Sequence, residues 1–265
     1  MNFLYKKYSL ILYYNFNMES MGKTKKVKGT KQTLEYVETE FKLHTKRLKC
    51  KNERQKELID QIDSKPIIFS AGFAGTGKTT IALYAALRAI ERGEYQKLVL
   101  VKSVQPIRNQ DLGFMPGPEG SKISPFMESF RIILDDLLGE EQRQLAEKEG
   151  IIIYKSPTFF RGITIKDAIV IVDEAQQFDD YLLTTIVSRL GETSKMIFLG
   201  DDLQTDVQRK ESAFKKWLEI FQDDEKIGSV RFLPEDCVRN PIITYVLNKV
   251  TMYNESCLQN IKEKN

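Results

Sequence analysis

The 265-residue sequence has one histidine, His44, one tryptophan and three cysteines. A single histidine leaves no material for a histidine-rich metal centre or a nucleophile–histidine triad. Cys50, Cys237 and Cys257 are odd in number and far apart, which supports neither a disulfide framework nor a zinc site. A reducing, cytoplasmic setting is the simplest reading. Long apolar runs are missing as well. None approaches the roughly 18–20 residues that a bilayer-spanning helix needs, so no membrane association is expected. The nearest candidate, MNFLYKKYSLILYYNF, is interrupted by Lys6 and Lys7 and lacks a small-residue cleavage site, which speaks against a signal peptide. Translation starting at Met18 or Met21 is the plainer alternative.

What is present is a globular composition, 42% hydrophobic and 29% charged, with enough apolar material for one large core or two small ones. The net charge of +3 is unevenly spread: residues 1–57 hold 14 Lys/Arg against 6 Asp/Glu, a balance of +8 that leaves −5 for the rest. A basic arm on a slightly acidic body suits a phosphate backbone; a solubilising tail is the alternative. The polar stretch MGKTKKVKGTKQ marks residues 1–33 as a flexible basic arm. Residues 34–63 mix charged and apolar side chains at helical spacing, with Asn52 a suitable N-cap for a helix over 53–62. Residues 256–265 are read as a tail.

Between them, over 64–255, short apolar runs alternate with amphipathic stretches. Ile67–Ala71, Leu98–Lys102, Ile151–Tyr154, Ala168–Val172, Met196–Leu199 and Val230–Leu233 read as buried strands. Thr79–Arg92, Tyr181–Leu190, Ala213–Phe221 and Ile242–Tyr253 read as helices. Continuous apolar strands separated by helices predict one α/β domain, a mainly parallel sheet covered on both faces. Gly113–Gly120 (GFMPGPEG) reads as loop.

Residues 72–79, GFAGTGKT, match G-x-x-x-x-G-K-[ST] in full, directly after a strand and directly before a helix. In such a turn glycines let consecutive backbone N–H groups face phosphate oxygens, and the helix N-terminus adds partial positive charge. Gly72, Phe73, Ala74, Gly75, Thr76, Gly77, Lys78, Thr79 and Thr80 are therefore the candidate nucleotide-binding residues. Lys78 is expected on the β- and γ-phosphates and the Thr79 hydroxyl on Mg²⁺. The strand AIVIVDE ends in two carboxylates. Placed beside the P-loop strand, it would bring Asp173 to the metal's hydration shell and leave Glu174 to take a proton from the attacking water. Alone, it would be a strand ending in solvated acids. After the strand MIFLG, Gln204 can touch both γ-phosphate and water. Arg239, after VRFL, is placed to stabilise charge on the γ-phosphate.

Taken in order, GFAGTGKTT, LGFMPG, FFRG, VDEAQ, GDDLQTD and VRNP resemble the PhoH family of ATPases, over about Asn52 to Tyr253. DEAQ followed by GDxxQxD also resembles the first motor domain of superfamily-one helicases. The resemblance implies a RecA-like core, ATP hydrolysis with Mg²⁺, and coupling to RNA or single-stranded DNA. It implies Gln55 as the residue that reads adenine through N6 and N7. Gln176 would couple the acid pair to the nucleic-acid side, and Lys102 and Arg161 would lie along that path at strand tips. Arg239 would be the γ-phosphate arginine. Two departures stand out: Ser103–Val104 replaces an Arg-Pro pair, and DEAQQ, ending in Gln177, replaces DEAQN.

The sequence thus points to a Mg-dependent ATPase acting on RNA or single-stranded DNA. A nucleotide-gated binding module without unwinding is the alternative. A small-molecule kinase fits poorly, since no Arg-rich lid is visible. Motors of this class use two RecA-like units and this sequence has room for one, so a homo-oligomer is expected, with a ring as one arrangement. Arg239 would then act across the subunit interface or fold back onto its own P-loop.

Overall fold

A computed structural model of the chain describes residues 41–102, 119–201 and 213–240, with scattered positions from 242 to 253. The basic arm of 1–33, the tail of 256–265, Gln204 and the Ser103–Val104 departure lie outside the described residues. The chain divides at Lys42, and the unit Lys42–Asn265 carries everything below.

Its centre is a six-stranded sheet: β1 (Ile67–Gly72), β2 (Lys97–Lys102), β3 (Ile152–Lys155), β4 (Ala168–Asp173), β5 (Lys195–Gly200) and β6 (Ile227–Phe232). Their order is β3-β2-β4-β5-β1-β6, and every pairing is parallel. β4 and β5 are buried along their whole length, which is why they read as unbroken apolar runs and not as alternating ones.

Two helical layers cover the sheet. On one side lie α1 (Glu53–Ser64), α2 (Lys78–Glu91), α3 (Glu119–Leu138) and α4 (Glu140–Lys148). On the other lie α5 (Asp180–Val187) and α6 (Ala213–Ile220). The second layer encloses a cluster in which alternate strand residues, Phe69, Val99, Val101, Val170, Val172 and Phe198, meet Leu183, Ile186, Phe214 and Leu218. Phe69 stacks on Phe198 at 5.0 Å between ring centroids and on Phe221 at 5.6 Å. The intervening residues, among them Ile68, Leu100, Ile171 and Leu199, are buried as well. This is the fold class read from the sequence: a RecA-like P-loop α/β fold.

Two readings need correction. The acid strand β4 does not lie beside the P-loop strand; β5 stands between them. The helix expected after Asn52 runs from Glu53, and Lys42–Cys50 before it has no regular secondary structure. That segment is tied down by Leu43 and Thr45, both buried, and by the Lys46 N–H donating to Leu137 O at 2.9 Å. Finally, α3 and α4 were not anticipated, and α3 already begins at Glu119, inside the stretch read as loop. The spacing of Met127, Phe130, Leu134 and Leu137, all buried, is that of one helix face. Within 242–253 the described positions, Ile242, Tyr245, Val246, Asn248, Lys249, Met252 and Tyr253, are helical, in line with the reading there.

Candidate active site

The P-loop leaves β1 at Gly72 and enters α2 at Lys78. Gly75 and Gly77 both adopt φ of +86°, a left-handed conformation that costs a side-chain-bearing residue energy. A side chain would also push a neighbour aside. A Cβ on Gly75 would lie 2.8 Å from Arg239 Cδ, and one on Gly77 would lie 2.8 Å from Gln55 Nε2. The loop is therefore gripped from outside by two distant segments. From α1, where the Asn52 side chain caps the first turn by accepting from the Gln55 N–H, the Gln55 amide donates to Thr76 O at 2.9 Å. It also accepts from the Lys51 N–H at 2.8 Å. From beyond β6, the Val238 N–H donates to Gly75 O at 3.0 Å. Asn52 Nδ2 ties the two segments together by donating to Asp236 O at 3.0 Å.

Inside the loop, Lys78 Nζ donates to Gly72 O at 2.6 Å, Phe73 O at 2.7 Å and the Thr76 hydroxyl at 3.3 Å. Its neighbour Thr79 reaches the acid strand. Helix α2 starts at the tip of β1 and crosses over β5, β4 and β2, so its first turn carries the Thr79 hydroxyl to within 3.4 Å of Asp173 Oδ1.

The acid side is built from long side chains. Asp173 is the Cα partner of Lys102 across the β2–β4 ladder. Lys102 Nζ stands 3.4 Å from Asp173 Oδ2 and 3.8 Å from Glu174 Oε1, and donates to Ser129 Oγ on α3 at 3.0 Å. Burial pushes the Asp173 carboxyl above its ordinary pKa; Lys102 opposes that push, and the adjacent Glu174 adds to it. Glu174 itself takes φ 56°, ψ 39°, a left-handed backbone that turns the chain sharply off the strand. Its Oε2 accepts from Gln176 Nε2 at 2.7 Å, and Gln176 Oε1 accepts from the Asp201 N–H, at the tip of β5, at 3.0 Å.

These groups line one cleft of about 380 Å³, bounded by the P-loop and Thr80, by Lys102, Ser129 and Ile133, by Asp173 and Glu174, by Gly200 and Asp201, and by Val238 and Arg239. The donor set fits a magnesium nucleotide. The Thr79 hydroxyl and the Asp173 carboxylate are hard oxygen ligands at close range, and Lys78 with the α2 N-terminus supplies positive charge for phosphate.

The family described as PhoH-like protein matches residues 47–251. A PhoH-like protein of Bacillus subtilis is 30% identical over 84% of this chain and 72% of its own length. Protein PhoH of Escherichia coli is 34% identical over 75% of this chain and 57% of its own length. The chain belongs to the PhoH-like family. Among solved structures, the large terminase of a thermophilic bacteriophage shares 10% identity at a TM-score of 0.44, over 71% of this chain and 47% of that one.

In this PhoH-like chain, then, the P-loop, Lys78, Thr79, Asp173, Glu174 and Arg239 meet around one cleft, the site of a P-loop nucleotide hydrolase. Gln55 touches the P-loop backbone instead of lining the cleft. Gln176 bridges Glu174 and the tip of β5. Arg161 is exposed beyond β3 and is not in the cleft. Lys102 lies at the tip of β2, as expected, and register sets it against Asp173. Arg239 extends over its own Gly75, a position compatible with action in cis. Sequence reasoning missed Ser129 and Ile133, which reach the cleft only because α3 packs on α2 and β2. It also missed Asp201, although GDD directly after a strand was a usable signal.

Proposed function

We propose that this protein hydrolyses ATP with Mg²⁺ and couples hydrolysis to RNA or single-stranded DNA. The observation that carries the chemistry is the convergence of Thr79 on Asp173 at 3.4 Å, beside Lys78 and Glu174. Lys78 exchanges the Gly72 and Phe73 carbonyls for β- and γ-phosphate oxygens, while the curled loop offers its N–H groups to the same phosphates. A bound magnesium ion neutralises phosphate charge and orients the transferring group. Glu174 accepts the proton of the attacking water. Arg239, over Gly75, meets the charge that builds on the γ-phosphate.

The nucleic-acid reading draws support from the carboxyl end of β3. There Lys155 Nζ lies 4.1 Å from the ring centroid of Phe159, whose side chain is partly exposed, with Arg161 exposed next to it. Exposed aromatics beside cations suit unstacked bases and phosphates. A partner subunit supplies the second motor unit in a homo-oligomer, but not the arginine. The second reading, a nucleotide-gated binding module that does not unwind, is favoured by the ties of Glu174 to Gln176 and Lys102, which restrain the base.

The test is the ATPase rate of purified protein alone and with RNA, single-stranded DNA or duplex. Stimulation by one of the single strands is expected. A flat rate removes the coupling, and the lack of any hydrolysis removes the enzyme.

A further inference from the structure

Lys102 is left over from this mechanism. It is neither part of the P-loop nor on the strand that carries the acids, yet its Nζ lies within 4 Å of both carboxylates. Its place comes from the ladder. β2 and β4 pair in parallel with Lys102 opposite Asp173, so the two side chains leave adjacent strands side by side. The contact is shielded from solvent, with Lys102 18% and Asp173 12% exposed at the side chain, so the attraction is screened far less than on an open surface. Ser129 Oγ at 3.0 Å holds the ammonium from α3, and the Phe130 ring lies 5.8 Å away.

We infer that Lys102 is a tethered counter-ion for Asp173 and Glu174, set in direct competition with the divalent metal for the same carboxylates. Two adjacent carboxylates in a partly buried site repel each other and repel the phosphates of a nucleotide. One ammonium within 4 Å of both relieves this. The relief also obstructs: a divalent ion gaining Asp173 must displace or repel that ammonium. Lys102 therefore lowers metal affinity while it keeps the cleft open to nucleotide without metal. Its flexible four-carbon stem lets it withdraw once the metal is in place.

This inference rests on the reading that Asp173 holds the metal, and the experiment separates the two. Mn²⁺ binding in the presence of a non-hydrolysable ATP analogue is followed by electron paramagnetic resonance. Binding of a fluorescent ATP analogue is followed separately in excess EDTA. Lys102→Met should bind Mn²⁺ about tenfold tighter or more, equivalent to about 1.4 kcal/mol, and should bind nucleotide more weakly in EDTA. Lys102→Arg, which keeps the charge, should stay near wild type in both. A merely structural role would move both affinities down together. Should Lys102→Met fail to fold, Lys102→Gln carries the same expectation. If the wild type binds Mn²⁺ and the neutral variant binds it no tighter, the counter-ion role is overturned. If the wild type binds no Mn²⁺ with nucleotide, the metal reading itself fails and takes this inference with it.

Discussion

The two rims of the cleft are held by different kinds of bond. On the P-loop rim nearly every tie ends on backbone: Gln55 on Thr76 O, Val238 on Gly75 O, the Thr76 hydroxyl on Phe73 O, and Lys78 on Gly72 O and Phe73 O. On the acid rim most ties join side chains: Lys102 to Asp173 and Ser129, Gln176 to Glu174, Thr79 to Asp173. Backbone ties define a shape into which phosphate fits. Side-chain ties define a charge balance that can be redistributed as substrate, metal and product come and go. Binding and chemistry should therefore fail separately when one rim or the other is changed.

The largest separation is expected at Glu174. Glu174→Gln should cut turnover by about 10²–10⁴-fold, the range for a lost general base, while nucleotide binding persists. Lys78→Ala, on the other rim, should lose binding. Equilibrium binding and single-turnover rates together check both, and wild-type hydrolysis by Glu174→Gln would remove the base. Next comes Arg239, which belongs by position to the P-loop rim and by chemistry to the transition state. Arg239→Ala should cost about 10²–10³-fold in kcat, as for loss of one positioned charge donor. Because the side chain lies over its own Gly75, mixing Lys78→Ala with Arg239→Ala should restore nothing. Recovered activity in the mixture would mean that the arginine works across an interface.

How much of this was legible beforehand follows the same division. The P-loop could be read because its geometry is local: eight consecutive residues specify the turn, and the flanking strand and helix confirm it. The strands, the parallel sheet and the Asn52 cap were readable for the same reason. Strand order was not, since insertion of β5 between β1 and β4 depends on how crossovers pack. The contact of Lys102 with Asp173 was not legible because it depends on β2–β4 register, and neither strand's own residues reveal that. α3 was missed because its apolar face comes directly after a stretch rich in glycine and proline. Gln55 was singled out on a resemblance, whereas its observed bonds join α1 to the P-loop.

Two smaller effects sharpen the contrast. Gly77→Ala imposes a left-handed backbone on alanine and drives its Cβ into Gln55 Nε2, at a cost of about 1–3 kcal/mol. It should weaken nucleotide binding and leave the acid rim's Mn²⁺ response in place; an unchanged nucleotide Kd would show the loop to be more pliable than its contacts suggest. The smallest effect is expected for Gln55→Ala. Loss of the bonds to Thr76 O and the Lys51 N–H should lower stability by about 1 kcal/mol, read from the urea midpoint. If Gln55 also reads adenine, the preference for ATP over GTP should narrow in the same variant. Equal use of both nucleotides by the wild type would leave Gln55 as a brace alone.

The position of β5 sets a gauge. Neighbouring strands are spaced about 4.8 Å apart by backbone hydrogen bonds, so one interposed strand holds β1, which leads into the P-loop, and the acid strand β4 roughly 9.6 Å apart. Side chains do not set that width, and substitutions within the sheet cannot narrow it. What can vary is how the gap is bridged: by the first turn of α2 carrying Thr79 over, and by Gln176 reaching back to Asp201. The instrument is rigid in its frame and adjustable only at its two jaws.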